Sequence, residues 1–351
     1  MSDAAYRGIA NGMSEKWASI ERPPGREAGD SEALAIRGFR RDTREALRKH
    51  PVVWPGRGYP PWVQLGTTLH RLAEQTERLS ALDNFAGPLA RTADRAMRRA
   101  RLKDLLSGSW LGHPLHPLAT DVVIGSWTMA AIIDLRRSND SVGAAKTLVG
   151  AGVLAAVPTA ASGLSDWADT RDPGVRRMGL VHAASNVVAL ALNASSYLAR
   201  RRGRRAVGAH LTRASALPLT IGGFLGAHMA YARGVGVSRT AFDERIAEWM
   251  PLETQAVLGD RWGEARVERL HVLARVGEGE LARVVSATCT HCGARLRAEP
   301  SGDLLRCPAD DSVFRGDDGA VLEGPATTPI PRFEARLASN GVEVRSAGAT
   351  G

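Results

Sequence analysis

Four long apolar stretches dominate the middle of the chain: Leu118–Leu135, Thr147–Ser165, Gly179–Ala199 and Ala214–Ala232. Each has about the 17–25 residues that a helix needs to cross hydrocarbon. Asp121 and Asp134 lie in the first, no charge in the second, only His182 in the third and only His228 in the fourth. Soluble helices usually keep a polar stripe. The second and fourth stretches show little of one and are rich in Gly and Ala, as close-packed membrane helices are. The pattern predicts a four-helix transmembrane bundle over residues 111–237. Ahead of it, Leu65, Leu69, Leu72, Leu79 and Leu82 recur at helical spacing, and Arg95, Arg98, Arg99, Arg101 and Lys103 follow in a basic run. Residues 61–110 therefore read as an amphipathic, basic helical segment, whose basic run would lie at a membrane surface or cover another protein face. Residues 1–60 are polar, rich in Pro, Gly and charge, and hold no apolar h-region. They read as a disordered arm without a signal peptide.

From about Met250 the period changes. Short alternating runs (Val267–Val276, Glu280–Ser286, Gly319–Leu322, Phe333–Leu337 and Gly341–Val344) are separated by Gly, Asp, Asn and Pro. They predict a small all-β domain over 250–346. The fold class is thus multidomain α + β.

Charge narrows the partners. The chain of 351 residues carries 46 Lys+Arg against 37 Asp+Glu, a net +9. The excess lies in and just before the apolar region, a placement that suits anionic lipid headgroups and not a nucleic-acid duplex. An even number of crossings puts both termini on one side of a multi-pass protein. Basic residues flank both sides almost equally, and the long polar N-terminal arm favours cytoplasmic ends.

Two groups of residues carry candidate chemistry. His113 and His116 in Gly112-His-Pro-Leu-His-Pro117, with His182, His228, Asp121, Asp166 and Asp169, fall at the same end of the predicted bundle. Ionisable groups at such depth are functional candidates. The four histidines either bind a haem or another metal, or relay protons, or hydrogen-bond one another and lock the helices. The second group is Cys289-Thr-His291-Cys292-Gly293 with Cys307-Pro-Ala-Asp310-Asp311, which contains all three cysteines of the chain. Three cysteines exclude a disulfide framework, and two tight turns each led by Cys suggest facing metal loops. The donors Cys289, Cys292, Cys307 and Asp310 make a tetrahedral zinc set. Cys289, His291 and Cys307 with position 310 instead match the spacing of a Rieske 2Fe-2S site, where two thiolates hold one iron and two imidazoles the other. No nucleophile with a base, phosphate loop or catalytic triad stands out, so neither a hydrolase nor a transferase is indicated.

The stretches Trp110-Leu-Gly-His-Pro-Leu-His-Pro-Leu-Ala-Thr-Asp121, Ser162-Gly-Leu-Ser-Asp-Trp167, Leu180-Val-His-Ala183 and Gly234-Val-Gly-Val237 resemble an uncharacterised four-helix membrane family. The tail resembles a Rieske-type domain, through its cysteine loops and through Phe314-Arg315, Gly319, Gly324-Pro-Ala-Thr327 and Pro331-Arg-Phe-Glu334. The pairing is similar to a fusion known from actinobacteria. This resemblance implies an electron-carrying 2Fe-2S cluster on a membrane-tethered domain, with an unknown redox partner protein. Carried over, Cys289 and Cys307 would be the thiolate ligands and His291 an imidazole ligand, with Asp310 standing where the family has its second histidine. Cys292 is a further departure, a competing thiolate beside His291. The alternative implied by these departures is a membrane-anchored module with zinc or no metal.

Overall fold

Eight helices precede ten strands in a computed structural model that describes residues 61–97, 100–136, 139–254, 259–277, 282–299, 302–339 and 341–348. The N-terminal arm, Arg98, Arg99 and Arg137 lie outside the described residues. The helices are α1 (Pro61–Arg78), α2 (Asp83–Met97), α3 (Ala100–Ser107), α4 (Leu115–Asp134), α5 (Asn139–Ala168), α6 (Pro173–Arg201), α7 (Arg205–Ala214) and α8 (Ala216–Arg233). Residues 68–351 pack as one unit.

The four expected apolar stretches are the long helices α4, α5, α6 and α8. Their ends follow from local chemistry. Asp172 accepts a hydrogen bond from the Val175 N–H at 2.8 Å and Pro173 opens the first turn of α6. Gly234, with φ of 67°, ends α8 and lets the Val235 N–H reach the Met229 carbonyl. Small residues admit rings between the helices. A Cβ added at Gly152 would lie 2.3 Å from the Trp127 ring, and one at Gly179 2.5 Å from Trp167. The side away from the β domain is closed by a buried ion pair, in which both Arg200 Nη atoms donate to the Asp134 carboxylate and Arg200 Nε donates to Ser196.

Outward faces of these helices are apolar: Leu118, Val122, Met129, Ile132, Leu154, Val157, Val187, Val188, Leu217 and Ile221 are exposed. Val142–Ala168 and Pro173–Arg201 are each long and apolar enough to cross a membrane, with 22% of the most apolar stretch buried inside the protein. A core helix of a soluble protein would be mostly buried. Four crossings were expected, whereas α4 and α8 fall short by composition. The reason is local: His116, Thr120 and Asp121 dilute the start of α4, and glycines, His228 and Arg233 dilute α8.

Ten strands make two antiparallel sheets. The six-stranded sheet has the order β1 (Met250–Pro251), β10 (Gly341–Ser346), β9 (Arg332–Ala338), β4 (Ala282–Ser286), β3 (Leu270–Val276), β2 (Gly263–Val267). The four-stranded sheet runs β5 (Arg297–Ala298), β6 (Leu304–Arg306), β7 (Val313–Arg315), β8 (Val321–Glu323). The period of two assigns side chains to two cores. On β3, Val272 and Ala274 join Val267, Val284 and Val344 on one face. Leu273 and Val285 join Leu296, Leu305, Phe314, Cys289 and Cys307 on the other. The expected continuous run Val267–Val276 takes in the last residue of β2, the turn at Glu268, which has a positive φ of 51°, and the whole of β3, which pairs back on β2. Strands β1, β5, β6 and β7 were not anticipated, nor was β2 apart from Val267; except for β2, of five residues, none exceeds three.

Candidate metal centre

The small sheet carries two loops of the same construction. In the first, the Cys289 N–H donates to the Ala294 carbonyl (2.9 Å) and the Gly293 N–H returns to the Cys289 carbonyl (2.9 Å). In the second, the Cys307 N–H donates to the Ser312 carbonyl (2.8 Å) and the Asp311 N–H returns to the Cys307 carbonyl (3.1 Å). The fifth residue of each loop has a left-handed backbone, with φ of 79° at Gly293 and 63° at Asp311. Each knuckle therefore presents its first and fourth side chains, Cys289 with Cys292 and Cys307 with Asp310, on the same side.

The knuckles face each other. One donor atom from each of Cys289, Cys292, Cys307 and Asp310 lies within 4.8 Å of all the others. Cys292 Sγ is 3.4 Å from Cys307 Sγ, and Cys289 Sγ is 3.5 Å from Asp310 Oδ2. A tetrahedral ion with bonds of ~2.3 Å to sulfur and ~2.0 Å to oxygen sets donor separations of ~3.5–3.8 Å. Cys289 and Cys307 are buried, and Cys292 reaches partway to the surface.

These distances correct the ligand set that the resemblance implied. His291 is not among the converging donors; Cys292 is. The knuckle sets its third side chain beside the converging donors and not among them. His291 Nδ1 donates to Asp310 Oδ2 at 2.8 Å, while Nε2 lies 3.8 Å from Asp169 Oδ2. A 2Fe-2S rhomb needs its two ligand pairs on separate irons. The donors that converge are three thiols and one carboxylate, all within 4.8 Å of one another, so the two imidazoles that a Rieske cluster places on its second iron have no counterpart in this set.

Electrostatics follow the geometry. Hydrogen bonds from Cys289 and Cys307 hold the Cys292 thiol well below its usual range, against burial and with help from His291. The Cys289 thiol is pushed up by its hydrogen bonds to Cys292 and Cys307 and by burial. Cys307 is pushed up to about 12; its bond with Cys289 works the other way, but Cys292, burial and Asp310 outweigh it. Burial disfavours a charged His291, yet hydrogen bonds to Asp310 and Cys292 and the charges of Asp169 and Asp310 raise it to about 9. Asp310 is lowered: burial works against this, and the bond and charge of His291 prevail. Thiolate ligands must be deprotonated, so metal binding at such a site releases protons.

The bundle histidines divide among three places. His116 Nδ1 donates to the Thr159 carbonyl (2.9 Å), and His182 Nδ1 donates to the Gly222 carbonyl (2.7 Å). Their rings meet edge to face with centroids 6.3 Å apart. Asn186 Nδ2 donates to His182 Nε2 (3.1 Å). Gly163 and Gly226 press against the two rings. His228 packs instead beside His70 of α1, with centroids 4.8 Å apart, and its Nε2 has no hydrogen-bond partner among the described residues. His113 is exposed ahead of α4. The arrangement joins α4 to α5 and α6 to α8 through imidazole–carbonyl bonds.

Known proteins match the two halves separately. Residues 249–334 match the Rieske 2Fe-2S domain family. The tail is Rieske-like in fold. Residues 112–239 match a family described as a predicted membrane protein (DUF2231), in keeping with the apolar outer faces of the bundle. The cytochrome b6-f complex iron-sulfur subunit of Chlorobaculum tepidum is 27% identical over 62 residues, which are 18% of this chain and 34% of that protein. The chain thus spans about a third of the length of that curated relative. Among solved structures, a complex of reduced oxygenase and oxidized ferredoxin in carbazole 1,9a-dioxygenase is 24% identical, with a TM-score of 0.24, over 29% of this chain and 94% of that one. The ferredoxin of carbazole 1,9a-dioxygenase from Nocardioides aromaticivorans IC177 is 17% identical, with a TM-score of 0.23, over 28% and 95%. Likenesses of that degree add nothing to the assignment.

Residue reasoning found all four converging donors within its zinc alternative. It missed the ion pair of Lys103 with Asp169 (2.6 Å), which lies beside His291. Asp169 could have been suspected from its place in a loop at the bundle end nearest the tail.

Proposed function

We propose that this chain is a membrane-anchored, Rieske-fold module that holds a single tetrahedral metal ion, zinc in the first instance, through Cys289, Cys292, Cys307 and Asp310. The observation that carries this is the pair of matched knuckles whose four donors converge within 4.8 Å of one another, two of the pairs at 3.4 and 3.5 Å. Three thiolates and a carboxylate are a borderline-soft set, suited to zinc. The ion would tie together two loops that only short strands otherwise support, and so stabilise the tail by binding it in the folded form alone.

A second reading puts one iron in the same four ligands, which would make the module a one-electron carrier. It is favoured by the partial match to an iron-sulfur subunit and by the tolerance of sulfur-rich tetrahedra for either metal. Metal analysis of the purified full chain separates the cases. One zinc per chain in a colourless preparation supports the first reading; one iron, coloured and free of acid-labile sulfide, supports the second. Iron matched by equal sulfide contradicts both.

A further inference from the structure

The loops that form the metal centre face the membrane bundle. His291 stands between two carboxylates, Asp310 of the centre and Asp169 of the loop joining α5 to α6. Asp169 is held by Lys103 of α3, whose Nζ donates to Asp169 Oδ2 (2.6 Å), to the Ser165 carbonyl (2.8 Å) and to Ser165 Oγ (3.1 Å). Both members of that pair are largely buried, with side chains 12% and 21% exposed. Two more contacts fix the same face: Arg171 donates to the Ala309 carbonyl within the second knuckle, and the Gly324 N–H donates to Asp104 at 2.6 Å. The segment leaving α8 is tied to the first knuckle, since the Arg239 N–H donates to the Thr290 carbonyl at 2.8 Å.

We propose that the end of the bundle is a built-in support of the metal centre. Lys103 and Asp169 are positioning residues that fix His291, His291 fixes the ligating oxygen of Asp310, and occupancy of the centre in turn fixes the docking of the β domain on the bundle. This rests on the single-ion reading above. Groups that orient a ligand commonly contribute 10- to 100-fold in metal affinity. Coupling of this kind is reciprocal: whatever the bundle adds to metal affinity, the metal adds to docking. An isolated Rieske-like domain would lack the whole Asp169–Lys103 half of this arrangement. The fusion of two otherwise separate units therefore has a chemical consequence at the centre.

Zinc affinity of the full chain in detergent, measured by competition with a chromophoric chelator, tests the first half. Asp169→Asn and Lys103→Met should each bind zinc roughly 10- to 100-fold more weakly. Asp169→Glu and Lys103→Arg should recover most of the loss, a rescue that generic destabilisation would not give. Glu343→Gln, at the ion pair with Arg336 between β9 and β10 and outside this chain of contacts, should bind as the unaltered protein does. Tryptic cutting at Arg239 reads the second half: chelation should accelerate it several-fold and zinc should restore protection in the unaltered chain but not in Asp169→Asn. Unchanged zinc affinity in both Asp169→Asn and Lys103→Met overturns the proposal, as does a cutting rate indifferent to metal. An unaltered chain that takes up no metal overturns the single-ion reading, and this proposal with it.

Discussion

His291 and Cys292 are neighbours in the chain, and the turn at Gly293 sends their side chains in different directions. That difference separates the single-ion centre from a two-iron cluster. Cys292→Ala removes a ligand, so the purified variant should retain less than about a tenth of the metal, a greater loss than removal of an orienting group. His291→Ala should keep substantial metal and bind it more weakly. A cluster ligated by His291 predicts the reverse order, and metal content per chain decides it. Asp311 invites a second prediction. A non-glycine residue in the left-handed region carries strain of roughly 1–2 kcal/mol, less for Asp than for most. Asp311→Gly should leave metal content unchanged and raise thermal stability slightly, whereas Asp311→Val should lower it by about 1–2 kcal/mol in denaturant titration. The donors were legible because Cys-x-x-Cys-Gly and Cys-x-x-Asp are local patterns. The role of His291 was not, since only the hydrogen bonds of the knuckle decide which of its residues face inward.

Long helices announce themselves through composition, and α4, α5, α6 and α8 follow the apolar stretches closely. Short strands do not: β5 to β8 have two or three residues each and are held by the metal loops and by Phe314 and Leu305 in the core. The hairpin within 263–276 was hidden because its first strand offers only Ala265 and Val267 among Gly and charged residues, and the turn at Glu268, with its positive φ, shifts the apolar positions from odd to even numbers. The buried pair Asp134–Arg200 was likewise unreadable, since sequence alone put these residues at the ends of separate helices. Arg200→Ala leaves Asp134 without its partner in a site where both side chains are under 10% exposed. Loss of one member of a buried pair costs about 3–5 kcal/mol. The variant should therefore lose helix packing at a lower temperature in a detergent melt, and an unchanged melt would show that the pair is not holding α4 to α6.

Across the whole molecule, the sequence suggested a bundle and a β tail, and the structure adds how they meet. The exposed apolar faces of α4, α5, α6 and α8 give the bundle an apolar outer surface, while Asp104, Asp169 and Arg171 give one of its ends a polar face against the tail. Reconstitution should therefore show the chain remaining with lipid vesicles after alkaline carbonate washing, and release into the supernatant would contradict the anchoring role of the helices. None of the contacts between bundle and tail has a local signature, because they join residues more than a hundred positions apart. The central claim is that one ion sits among Cys289, Cys292, Cys307 and Asp310. X-ray absorption at the metal edge of the purified full-length protein tests it most directly. The spectrum should contain three sulfur neighbours at ~2.3 Å and one oxygen at ~2.0 Å around a single metal. A short metal–metal vector, or a shell with two sulfur ligands and nitrogen, would contradict it.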